Sequence, residues 1–228
     1  MSTAQGARAR ARKEVTAAIK EEARRQLAKE GAAKLSLRAV ARELGMVSSA
    51  LYRYFPSRDE LLTALIIDAY DSLGEAAERA RDATADAAPV ARWTAVCEAV
   101  RGWALTHPHE YALIYGSPVP GYAAPQTTVP AAARVGLVFI GIVRDAHEGS
   151  GLAGLSLAAG LHAEAERMAA DLAPELPAEA ITALVAAWAQ LFGLVSFELF
   201  GQFNKVVEDR ETFFRHAVTG LARTVGLR

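Results

Sequence analysis

The sequence predicts an all-α protein, and three observations predict it. Apolar residues recur three and four positions apart along nearly the whole chain. No segment shows the alternation of Val, Ile and Thr between turn residues that marks a sheet. Ser, Gly and Pro fall where helices start and stop. With 52% hydrophobic and 22% charged residues among 228, the chain has enough apolar material for a packed core.

The elements follow in order. A first helix over 13–29 places Val15, Ile19, Ala23 and Leu27 on one face and ends at Gly31. Ser36 caps a short second helix whose apolar stripe is Leu37, Val40, Ala41 and Leu44, and Gly45 supplies the left-handed residue that stops it. After only Met46 and Val47, Ser48 caps a third helix in which Leu51 and Phe55 face inward, and Pro56 closes it. Ser57 opens a long fourth helix, and Glu60 completes a capping box ahead of Leu61, Leu62, Leu65, Ile66 and Leu73. A break at 84–89 marks a domain boundary. Further helices are read over 90–106, 109–115, 130–146, 178–203 and 210–225. Pro118, Pro120, Pro125 and Pro130 make 116–130 an irregular loop, and the Ala- and Gly-rich stretch 149–160 receives no assignment.

Charge is distributed unevenly. Residues 1–60 hold 13 Lys and Arg against 7 Asp and Glu, whereas the rest of the chain holds 12 against 19. A basic head on an acidic body suits an end that contacts nucleic acid, where phosphate neutralisation dominates affinity. Three helices with a tight Gly45-containing turn between the second and third are the helix-turn-helix arrangement. In it the second helix crosses the DNA backbone and the third enters the major groove. Here the entering surface is Ser48, Ser49, Ala50, Tyr52, Arg53 and Tyr54, small residues for close approach and hydroxyl and guanidinium donors for phosphate and guanine. The competing reading is a plain helical hairpin whose Tyr and Arg only cover the surface.

The residues themselves resemble the TetR family of transcriptional regulators. The stretch LSLRAVARELGMVSSALYRYFPSRDELLTAL carries the resemblance: Leu-Gly, then Leu51-Tyr52-x-Tyr54-Phe55, Ser57 with a basic neighbour, and Leu61-Leu62. With the first helix included it covers residues 13–68. It implies a helical homodimer in which a long fourth helix joins a helix-turn-helix head to a ligand-binding and dimerisation body. Carried over by position, it implies DNA-backbone contacts at Ser36, Arg38, Ser48, Tyr52, Tyr54 and Arg58, and base readers at Ser49, Ala50 and Arg53. Many relatives have Lys at position 58 and Thr or Gly at position 50, so Ala50 offers a methyl contact. The C-terminal part resembles one branch of the family through Trp188, Gly193 and the run LVSFELFG, with Phe192 where that branch commonly has His.

The organisation expected is a basic flexible arm over 1–12, a DNA-binding domain over 13–60, a connecting helix over 61–84 and a ligand-binding and dimerisation domain over 85–228. The arm either reaches a minor groove or is a solubilising tail. Aromatic crowding nominates a pocket at Trp103, His107, Tyr111, Tyr115, Phe139, Trp188, Phe192 and Ser196, although each residue taken singly also reads as core. Glu198, inside an apolar run, reads as an interface hydrogen bond ahead of a ligand contact. Leu184, Val185, Leu191, Val195 and Leu199 with Phe213, Phe214, Ala217, Val218 and Leu221 exceed what one body needs to bury, which predicts a four-helix bundle between two subunits. Dimerisation fixes two recognition helices about 34–36 Å apart, one DNA turn or a multiple, so the expected operator is an inverted repeat.

Other chemistry finds little support. Uninterrupted apolar runs fall short of the ~20 residues a bilayer span needs, and the basic N-terminal stretch lacks an apolar signal region, so a cytoplasmic protein without a membrane partner is expected. Cys97 alone excludes an internal disulfide and a multi-cysteine zinc site. Gly149-Ser150-Gly151-Leu152-Ala153-Gly154 matches a dinucleotide fingerprint in letters but lacks the preceding strand. Of the histidines, only His162 with Glu166 has helical ligand spacing, and one pair is not a metal site. No catalytic motif and no cofactor site is read. The expectation is a ligand-responsive DNA-binding transcriptional regulator, a repressor that a small, mostly apolar molecule releases from a palindromic operator. The alternative is a helical enzyme or small-molecule carrier with an incidental basic N-terminus.

Overall fold

The structure, a computed structural model, describes residues 2–228, with side chains from residue 6 onward. Every regular element among them is helical: α1 (Ser2–Glu30), α2 (Leu37–Glu43), α3 (Ser48–Leu51), α4 (Arg58–Ala83), α5 (Pro89–Thr106), α6 (Pro108–Tyr115), α7 (Val129–Glu148), α8 (His162–Leu172), α9 (Ala178–Leu199) and α10 (Arg210–Thr224). Three elements depart from the sequence reading. α1 begins at Ser2, so helix stands where a flexible arm was expected; Ala7, Ala9 and Ala11 alternate there with Arg8, Arg10 and Arg12, all strong helix formers that need no apolar stripe. α8 is absent from the sequence reading because it buries only Ala165 and Ala169, and small residues leave little periodic signal. α3 is a single turn, and its N-cap is Val47 rather than Ser48, which is the first helical residue.

The chain forms two compact units that cut across its linear order. The first contains residues up to Tyr70 together with His107–Val129; the second contains Asp71–Thr106 and Pro130–Arg228. This differs from the division at residues 60 and 84, because α6 and the loop after it join the head.

In the first unit, Ile19, Ala23 and Leu27 of α1 meet Leu37, Val40 and Ala41 of α2, Leu51 of α3, Phe55, and Leu61, Leu62 and Leu65 of α4 in one buried cluster. Each fully buried leucine is worth ~1.5–3 kcal/mol relative to exposure. The α2–α3 turn is fixed by backbone geometry: Gly45 has φ +64°, its N–H donates to the Arg42 carbonyl at 3.1 Å, and the Met46 N–H donates to the Ala41 carbonyl at 2.8 Å. That pair of bonds closes α2 and aims α3 away from it.

In the second unit, the Trp93 ring of α5 lies 4.4 Å from that of Phe139 on α7, beside the buried Val96, Cys97 and Val100. α7 sits close to α4 because Gly74 has no side chain: a Cβ there would stand 2.7 Å from the Arg134 Cβ. The Arg134 guanidinium then reaches Glu78 at 2.7 and 2.9 Å and Asp71 at 2.8 Å. Glu198 is buried, and both its oxygens accept bonds from Arg101 of α5 at 2.7 Å. It is therefore an intramolecular partner rather than an interface hydrogen bond. The glycine-rich stretch 149–154 is irregular, and the Ala153 N–H donates to the Gly226 carbonyl at 3.0 Å.

Two of the helices, Gln126–Glu148 and Ala178–Leu199, are long and apolar enough to cross a membrane by length and composition. Counting uninterrupted apolar runs misses this, because a single Arg134 or Gln190 breaks the run without making the helix polar. In this chain α9 packs against α8, α5 and α10.

Candidate nucleic-acid interface and effector residues

The candidate recognition surface is what packing leaves uncovered. Leu51 and Phe55 turn into the head core, which leaves Ser49, Tyr52 and Arg53 exposed and Ser48, Ala50 and Tyr54 half-buried on α3 and the turn that follows. That turn tightens: the Arg53 N–H donates to the Ala50 carbonyl at 3.2 Å and the Tyr54 N–H to the Leu51 carbonyl at 2.8 Å. Arg38 stands exposed on α2, while the Ser36 hydroxyl caps that helix by accepting from the Ala39 N–H at 3.5 Å. Ser57 likewise caps α4 by accepting from the Glu60 N–H at 3.1 Å.

Arg58 has a further task that the sequence did not reveal. Its guanidinium donates to the carbonyls of Leu35 at 3.2 Å, Ala32 at 2.9 Å and Ala33 at 3.3 Å. It thereby clamps the α1–α2 connection to the start of α4.

The eight residues nominated for a pocket divide between the units. His107, Tyr111 and Tyr115 belong to the first. There Tyr111 is fully buried, the Tyr115 ring lies 5.2 Å from that of Tyr111 and 6.0 Å from that of Tyr70, and burial raises the Tyr115 hydroxyl well above its ordinary pKa. Trp103, Phe139, Trp188, Phe192 and Ser196 belong to the second. Trp103 Nε1 donates to Ser72 Oγ at 2.9 Å, and Phe192, buried, meets the Trp188 ring edge-on at 6.1 Å. Phe139 and Trp188 line one apolar groove of about 260 Å³ with Leu137, Ile140, Leu172 and Leu184. Of the eight, Trp103, Tyr111, Phe139 and Phe192 are buried and Trp188 is exposed, and only Phe139 and Trp188 line that groove.

Comparisons with known proteins agree with this geometry. Residues 19–65 match the model of bacterial regulatory proteins of the tetR family, and residues 93–221 match a tetracyclin repressor-like C-terminal domain. A curated HTH-type transcriptional regulator of Mycobacterium tuberculosis is 43% identical over 216 residues, covering 87% of this chain and 86% of its own length. The chain belongs to the TetR family. Among solved structures, that of regulatory protein SCO4313 is 34% identical with a TM-score of 0.79, covering 93% of this chain and 97% of its own. The structure of RolR in complex with resorcinol shares the fold at 17% identity and a TM-score of 0.55, covering 96% of this chain and 91% of its own.

This TetR-family protein is therefore a DNA-binding transcriptional regulator and not an enzyme. Two structural features of the TetR chain escaped the sequence reading. Trp93 is wholly buried, and its indole N–H has no hydrogen-bond partner among the described residues, an unsatisfied donor in the layer beneath the groove residue Phe139. The segment 107–129, inside the C-terminal family match, packs with the DNA-binding helices. Its helix over 109–115 and, through the prolines, the irregular loop that follows were legible in the sequence, but not that both pack with the head.

Proposed function

We propose that the protein is a ligand-responsive repressor: a cytoplasmic homodimer that holds an inverted-repeat operator through two heads and leaves it when a small, mostly apolar molecule binds the C-terminal body. Base reading falls to Ser49, Ala50 and Arg53, and backbone contact to Arg38, Ser48, Tyr52 and Tyr54, with Ser36 and Arg58 fixing the elements that carry them. The observation that carries the ligand response is the fastening of 107–129 to the head. Glu110 pairs with Arg24 of α1 at 3.1 Å, and Tyr70 of α4 donates to the Ile114 carbonyl at 3.4 Å. Tyr122 and Thr63 share a hydrogen bond at 2.8 Å, and Leu113, Val119 and Tyr122 pack on the head core.

Both ends of this segment continue as helices of the second unit, α5 and α7, so a ligand that shifts those helices pulls on the head. By linkage, a ligand that favours another head disposition binds the DNA-bound protein more weakly. Phe139 and Trp188 are the residues nominated to meet it; RolR, of the same fold, takes the aromatic resorcinol.

For the dimer, the residues first nominated divide: Val185, Leu199, Phe213 and Ala217 keep exposed or partly exposed surface. Leu184, Leu191, Val195, Phe214, Val218 and Leu221 are buried within one subunit. Phe197, Phe200 and Phe213 keep exposed apolar surface on this part of the chain, as do Trp188 and Val206, and Phe203 joins Phe197 and Phe213 in an edge-to-face ladder at 5.7 and 5.5 Å. That ladder is the proposed isologous contact.

The test is a mobility shift on the DNA upstream of the gene, with and without small aromatic compounds that raise the protein's melting temperature. Wild type should release the DNA in their presence, and a Glu110→Gln/Tyr122→Phe variant should bind DNA but release it at least about tenfold less readily. Release at equal ligand concentration would remove the strap from the mechanism. Transcription that falls on deleting the gene would make the protein an activator.

A further inference from the structure

We propose that the first three turns of α1 are a second DNA-contacting element, laid against the phosphate backbone of the duplex flanking each recognition helix. The proposal rests on the DNA-binding role assigned above and extends it to residues outside the helix-turn-helix.

Three observations carry it. Residues 6–14 are all exposed, whereas Val15 is the first described residue of α1 packed on the head core, so about two and a half turns of helix run beyond the unit that supports the rest. Such a length of helix in water is marginal on its own and gains stability from whatever it lies against. Its side chains name the partner: Arg8, Arg10, Arg12 and Lys13 are all cationic, with no acid among residues 6–13. At 100° per residue Arg8 and Arg12 share one flank, and Arg10 and Lys13 share the other, with Ala7, Ala9 and Ala11 between them. A slim helix with cations on both flanks matches a polyanionic surface, not an apolar groove. Finally, Arg12 ties this helix to the recognition surface: its guanidinium stacks 5.2 Å over the Tyr54 ring and comes within 3.5 Å of the Arg53 carbonyl. Arg8 stands one turn, about 6 Å, farther along the same flank.

Because phosphate contacts carry no sequence information, random-sequence DNA tests the idea without knowledge of the operator. The full-length Arg8→Gln/Arg10→Gln/Lys13→Gln variant keeps Arg12 on Tyr54 and should melt as wild type does, since every altered side chain is exposed. Binding is measured across a salt series on duplexes of roughly 20 and 40 base pairs, and each lost phosphate contact should flatten the log–log salt slope by about 0.9. The expected result is a slope lower by about two to three per bound head and a loss of the wild-type preference for the longer duplex. An unchanged slope with unchanged length preference overturns the proposal while leaving the regulator intact. Wild-type protein that binds neither duplex at any salt overturns the DNA-binding role itself.

Discussion

Replacing Glu198 by Ala should cost about 3 kcal/mol of folding stability, and the reason lies in what is left behind. Glu198 is buried with 6% of its side chain exposed, and its two oxygens take two 2.7 Å charge-assisted bonds from Arg101, itself 18% exposed. Removing one partner of a buried pair strands the other charge and typically costs ~3–5 kcal/mol. Arg101 retains an outlet to solvent and its position 5.4 Å over the Phe214 ring, which holds the loss at the lower end of that range. The raised pKa of Arg101, caused first by its hydrogen bonds to Glu198, keeps the guanidinium charged in the native state. Urea denaturation read by tryptophan fluorescence measures the loss, at two protein concentrations so that dimer dissociation is separated from unfolding. The paired replacement Arg101→Met/Glu198→Met removes both charges together and should recover most of the loss, because a well-packed apolar pair often matches a buried ion pair. A cost for Glu198→Ala below about 1 kcal/mol, or a double variant as unstable as the sum of the singles, would refute the reasoning. A cost that grows with dilution would return Glu198 to a subunit interface.

Three more perturbations follow from the same structure. Gly45→Ala meets no atom within 4 Å, so its cost should be the backbone cost of φ +64° alone, about 1–2 kcal/mol in a denaturation midpoint; a larger loss would mean a contact at the turn that the structure lacks. Arg53→Ala should relax base preference at one position per half-site, with ~1–3 kcal/mol lost on the specific site, whereas Arg58→Ala should lower the melting temperature by releasing three carbonyls; footprinting and thermal melts that give the reverse pattern would exchange the two roles. The Arg134 guanidinium, mainly through its hydrogen bonds, holds Glu78 below the usual carboxylate range, so the contribution of this pair is present above the unfolded glutamate pKa of about 4.3 and is lost as pH falls through the lower folded value. Glu78→Gln should therefore flatten the fall in melting temperature between about pH 5 and 3, and an identical fall in both proteins would remove the pair from the acid response.

The head was legible in the sequence because its determinants are local. Ser36, Gly45 and Ser57 act on backbone groups within four residues of themselves, and the spacing of Leu37, Val40, Leu51, Phe55 and Leu61 states which faces turn inward before any partner is known. The same locality made Tyr52 and Arg53 readable as exposed residues. The body was legible only as helices. Composition could not say that Glu198 finds Arg101 across 97 positions, that Arg58 turns back to three carbonyls of the α1–α2 connection, or that 107–129 leaves its sequence neighbours to pack on the head. Nor could it say which face of α9 is spent within the subunit, because a helix apolar around most of its circumference gives the same pattern whichever side meets α5, α8 or α10. Helical periodicity records that a face is buried. Which element buries it is set by the joint fit of side-chain volumes and by charges that need partners, and those were decided only when the helices packed.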